Sequence, residues 1–148
     1  MKNGTDKQIK WAQKIIITFV VDWARRLPDS IAKLEEKIKA AQKRLTTNPD
    51  DERGVKRWTE RIAEAKEGIE AIHQVTELLH VIDDARLIIK MRHRLRFISC
   101  GVITSEHAHL ILSEYDYWLR ELYPLEWVQR LAKGEMVYPG CRISLSLK

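Results

Sequence analysis

At 148 residues with 45% hydrophobic side chains, the chain is long enough to bury one core without disulfide or metal staples. Its 26 basic residues against 21 acidic ones leave a net charge of +5, a mild preference for an acidic partner. Cys100 and Cys141 are isolated and lack a CxxC spacing, whereas a disulfide framework in a small secreted domain would normally use more cysteines, and the apolar run from Ile15 to Val21 is far too short to span a membrane.

The polar opening MKNGTDKQIK has no signal-peptide character, so a soluble, reducing, cytoplasmic setting is expected. Thr5 followed three residues later by Gln8 is a capping-box pattern, and it predicts a first helix from Asp6 to Arg26. Within it Ile9, Ala12 and Ile15 can face a core, with Trp11 at the border of that face. The β-branched centre, residues 15–21, is compatible with a buried strand by propensity, and only its periodic flanks favour helix. Pro28 is expected to end this segment, with Asp29 or Ser30 capping a second helix.

Ile31, Leu34, Ile38, Ala41 and Leu45 then form a stripe at alternating steps of three and four. The turn 46–51 contains Pro49 and ends in two candidate caps, Asp50 and Asp51. Val55, Trp58, Ile62, Ala65, Ile69, Ile72, Thr76 and Leu79 continue the same alternation, which predicts an antiparallel coiled-coil-like hairpin over 28–80 that projects as an arm. The phase changes near Asp83-Asp84, where either Asp can cap a fourth helix with Leu87, Ile88, Met91 and Leu95 on one side. Residues 97–103 read as a connector or short strand; Ser105 is the expected cap of a helix to Leu122, and Pro124 opens another that ends at Gly134. In the tail, a Pro-Gly turn before alternating Ile143, Leu145 and Leu147 predicts a β-hairpin. The expected fold is a mainly α single domain, 1–148: a helical bundle with the hairpin arm, and C-terminal helices and a short β-hairpin over 105–148.

The strongest surface signal is Arg86, Lys90, Arg92, Arg94 and Arg96, five fixed positive charges without an acid among them. Guanidinium forks suit phosphate and carboxylate oxygens, so this face is a candidate for an acidic protein or a nucleic-acid backbone; a solvated face paired with neighbouring acids is the competing reading. Lys37, Lys39, Lys43, Arg44, Arg53, Lys56, Arg57 and Arg61 give the arm a second basic region, with interspersed acids that fit an ordinary solvated hairpin equally well. Tyr115 and Tyr117, beside Glu114 and Asp116, are candidate protein-docking side chains if they are exposed. The histidines, including His107 and His109, have no zinc-motif spacing, and no nucleophile array, phosphate loop or paired catalytic carboxylates stand out. No catalytic residue, metal or cofactor is expected, and the matched heptads leave a homodimer open.

The stretch Gly4-Thr-Asp-Lys-Gln-Ile-Lys-Trp-Ala-Gln-Lys-Ile15 resembles the opening element of small proteins encoded by phages and mobile elements, and Asp84-Ala-Arg-Leu-Ile-Ile-Lys-Met-Arg92 is similar to a second element of such chains. In the second, Leu87 and Ile88 stand for two Trp and Lys90 for an Asp. The resemblance implies a mobile-element origin and a host-cell cytoplasmic location, and carries no catalytic residues. It leads to the expectation of a non-enzymatic, stoichiometric inhibitor of a host defence protein or ribonucleoprotein, such as an anti-CRISPR protein acting on a CRISPR-Cas complex. The positive net charge argues against DNA mimicry. The alternatives are a DNA- or RNA-binding accessory protein that uses the basic helix 86–96, and a structural or assembly protein.

Overall fold

A computed structural model describes residues 1–97 and 102–133. Among the described residues five helices follow one another: α1 Asp6–Thr47, α2 Glu52–Val81, α3 Ala85–Phe97, α4 Ser105–Leu122 and α5 Pro124–Ala132. The β-hairpin expected in the tail lies outside the described residues, as do both cysteines.

The chain is clamped at its start. Thr5 Oγ1 accepts from the Gln8 amide at 3.2 Å while Gln8 Oε1 accepts from the Thr5 amide at 2.9 Å, the reciprocal cap that the sequence predicts. Just before it, Lys2 forms a parallel bridge to Asp84: its amide donates to the Asp83 carbonyl, and its carbonyl accepts from the Ala85 amide, both at 2.8 Å. Asn3 sits at a positive φ of 61° and donates to Asp84 Oδ2 at 2.5 Å. Asp84 Oδ1 meanwhile accepts from the Leu87 amide at 3.1 Å and caps α3. One buried carboxylate thus ties the starts of α1 and α3 together, so the two helices leave the clamp side by side.

Pro28 does not break the first helix. The chain runs as one helix of 42 residues, with Pro28 and the residue whose carbonyl it deprives of a donor, Ala24, both exposed to water. Packing on either side outweighs the local cost: Trp23 is buried and Leu27, Ile31 and Leu34 lean on the core. Ser30 is a buried latch rather than a cap. Its hydroxyl donates to the Arg26 carbonyl and accepts from the Ile103 amide, each at 2.9 Å. The β-branched run is helical for the same reason, since Ala12, Ile16, Phe19 and Trp23 recur on one buried side while Ile9 and Ile15 pack at its edge.

Asp51 caps α2 through the Gly54 amide at 3.1 Å, and the hairpin of α1 and α2 forms as predicted. Beyond Leu34 on α1 and before Ala71 on α2, no side chain joins the central core. The distal hairpin is therefore a two-helix arm with a half-buried seam, shorter than the expected 28–80 because both of its roots belong to the body. Gly68 marks where α2 leaves the body: a Cβ there would meet Ser105 Cβ at 2.8 Å, so only glycine admits the start of α4. Thr104, one residue ahead of the expected Ser105, caps α4 in a box with His107. His80 Nδ1 contacts the Thr76 carbonyl at 2.7 Å, one turn back on α2.

The body core is built from Ala12, Ile16, Phe19 and Trp23 of α1, Ile72, Val75 and Leu78 of α2, and Ile111, Leu112 and Leu119 of α4. Leu87, Ile88, Met91 and Leu95 of α3 complete it, the side chains assigned to that face by periodicity. No described helix is long and apolar enough to cross a membrane.

Candidate binding groove between α1 and α3

Because α3 is wedged between α1 and α4, its five basic residues divide into two rows. Arg86, Lys90 and Arg94, spaced by four, lie against α4 and its end. The Arg86 guanidinium is 5.7 Å from the Tyr123 ring centroid, the Lys90 ammonium 5.1 Å from Trp118, and Arg94 is 3.6 Å from Glu114. Glu114 also accepts from Trp118 Nε1 at 2.9 Å, which fixes the middle of the row. Arg94 is thus paired with an acid, while Arg86 and Lys90 lie over aromatic rings along the edge between α3 and α4.

Arg92 and Arg96 face the other way, toward α1. With His93 and Leu95 they form one wall of a groove of about 790 Å³, whose opposite wall is Trp11, Lys14, Ile15, Thr18, Phe19 and Asp22. The Arg92 guanidinium sits 5.3 Å from the Trp11 ring centroid and donates to the Ile89 carbonyl at 2.6 Å, so it is held in a fixed orientation. Trp11 is 48% exposed, an unusual position for the largest apolar side chain. Asp22 is the one carboxylate lining the groove, and it is bound by Arg25 at 2.7 Å and by Arg26. Among the described residues no carboxylate lies within ion-pair distance of Lys14, Arg92 or Arg96. An apolar floor under an uncompensated positive rim results.

The two candidate docking tyrosines part company. Tyr117 is exposed, packed edge-on to Trp118 with ring centroids 4.9 Å apart. Tyr115 is only 9% exposed and belongs to the core, where burial pushes its phenol above the ordinary tyrosine range against the opposing pull of Arg130. It is not an exposed docking side chain, because the inward stripe of α4 includes it along with Ala108, Ile111, Leu112 and Leu119. Asp116 is turned inward as well, accepting from Trp127 Nε1 at 2.7 Å.

The sequence alone hides the groove's contribution from α1. Phe97 is the sole aromatic residue near the basic run along the chain, yet folding brings Trp11, Trp118 and Tyr123 onto it from elsewhere. Trp11 with Lys14 one turn later was the available signal. Among the described residues there is no cluster of three metal-ligating side chains. No family model matches this chain, and neither a curated protein nor a solved structure shows significant similarity to it.

Proposed function

We propose that this is a non-enzymatic binding protein whose α1–α3 groove takes an acidic segment of a partner protein. The observation that carries the reading is the combination of an apolar floor with Lys14, Arg92 and Arg96 at the rim and the lining carboxylate already neutralised. Aliphatic and aromatic floor residues, Ile15, Phe19 and Leu95, suit the apolar side of a docked peptide, while the rim suits flanking carboxylates. A nucleic-acid backbone gains nothing from that floor, and Arg94 of helix 86–96 is already paired with Glu114, which weakens the accessory DNA- or RNA-binding reading. A groove that binds without reacting is what a stoichiometric inhibitor requires. Together with the resemblance to phage and mobile-element proteins, it makes a host defence complex such as CRISPR-Cas the partner class to test first.

The test is affinity capture from a host-cell lysate, with and without nuclease, comparing wild type with the Arg92→Glu/Arg96→Glu double variant. A defined protein retained after nuclease by wild type and lost by the variant is expected. Recovery of nucleic acid alone, abolished by the variant, would transfer the groove to the nucleic-acid reading.

A further inference from the structure

The arm carries a second concentration of positive charge, built differently from the groove. Arg57 and Arg61 on α2 and Arg44 on α1 converge on one side chain, Trp58, with guanidinium carbons 5.1, 4.8 and 5.8 Å from its ring centroid. Arg44 and Arg57 come from opposite sides of the turn, so the hairpin fold creates the cluster. Trp58 occupies a seam position and is half-buried, which fixes the platform on which the arginines rest.

Three like charges around one ring are unfavourable unless something compensates them. Arg57 and Arg61 are four residues apart on a helix, a spacing that is itself mildly destabilising for like charges. Glu60 and Glu64 follow them at a spacing suited to pairing, yet among the described residues none of the three arginines has a carboxylate within ion-pair distance. All three side chains are exposed. Their guanidinium carbons lie within 5.8 Å of a common point, so the charges fall within reach of neighbouring phosphates on one strand. Three guanidiniums already lie within 5.8 Å of the Trp58 ring centroid, so the site offers charge and forked donors rather than a free ring for base stacking.

We propose that Arg44, Arg57 and Arg61, arrayed on Trp58, form a sequence-independent site for the phosphate backbone of duplex nucleic acid. The site lies on the part of the arm that contributes nothing to the body core, away from the α1–α3 groove, and it stands whether or not the groove binds a protein. A chain with both sites fits a nucleoprotein target, gripping protein with the body and backbone with the arm.

The experiment is fluorescence anisotropy with labelled duplex DNA and duplex RNA of random sequence, titrated with the full chain over a series of salt concentrations. Wild type is expected to bind both duplexes, and binding to only one assigns the backbone source. The Arg44→Ala/Arg57→Ala/Arg61→Ala variant should bind at least about tenfold more weakly, with a log-log salt slope shallower by roughly 2.7 if each arginine neutralises one duplex phosphate. The corresponding triple Lys variant should keep most of the slope, which separates charge from packing; it also serves if the Ala variant loses helicity by circular dichroism. Absence of duplex binding by wild type at low salt overturns the proposal, as does an unchanged slope in a folded Ala variant. Loss confined to the Arg92→Glu/Arg96→Glu variant also overturns it and moves the nucleic-acid site to the groove.

Discussion

Replacing Asp84 by Ala removes three things at once: the side-chain cap of α3, the acceptor for Asn3, and the carboxylate beside Tyr123. A lost cap costs about 1 kcal/mol, and a part-buried hydrogen bond to a charged acceptor contributes about 1.5 kcal/mol more. The expected loss is therefore roughly 2–3 kcal/mol, read as a lower urea midpoint at an unchanged slope. For a chain of this size that corresponds to a fall in Tm of roughly 5–10 °C. Asp84→Asn keeps an oxygen for the Leu87 amide and should lose about half as much. Hydrogen exchange supplies a local readout: the Lys2 and Ala85 amides, which bridge the N-terminal segment to α3, should lose protection in Asp84→Ala before the core of α4 does. An Ala variant within about 0.5 kcal/mol of wild type, or an Asn variant as damaged as the Ala one, would refute the assignment of Asp84 as the clamp between the two groove walls.

Ser30→Ala should cost about 1–3 kcal/mol in the same assay, because it leaves the buried Ile103 amide without its acceptor; Ser30→Thr, which keeps the hydroxyl, separates that loss from packing changes. Tyr123 gives a pH test. Burial, then the neighbouring Asp84 carboxylate, push its phenol up to about 12 against the pull of Arg86. Both states hold the proton below pH 10, where the contribution to stability is complete; as pH rises from the unfolded value of 10.0 toward 12 the unfolded chain releases its proton first, and stability is lost. Phenolate absorbance should show two late-titrating tyrosines, Tyr115 and Tyr123; the Tyr123 component should disappear in Tyr123→Phe and move to lower pH in Asp84→Ala.

Element identities were legible where periodicity and caps agreed. Thr5 with Gln8, Asp51, and the inward set of α3 all occupy their expected places, because each depends on neighbours within one or two turns. Pro28 shows the limit of that reasoning. Its local cost is real, but the packing of Trp23, Leu27 and Ile31 against distant helices decides the outcome, and no local pattern encodes it. The basic helix was legible as charge and not as a site. Which cations are engaged depends on Tyr123, Trp118 and Glu114 lying on one neighbour and Trp11 on the other. Tyr115 and Tyr117 are two residues apart, so one had to turn inward once the stripe of α4 was set by Ile111, Leu112 and Leu119.

The unbroken course of α1 through Pro28 makes it a lever. Trp11 in the groove wall and Arg44 on the arm stand on the same rod, about 50 Å apart at the rise of an α-helix. If an occupant of the groove tilted α1 by about 10°, the arm cluster would swing by roughly 9 Å, more than two base-pair steps. On the two proposals above, seating a partner at one end would then set what the other end can reach.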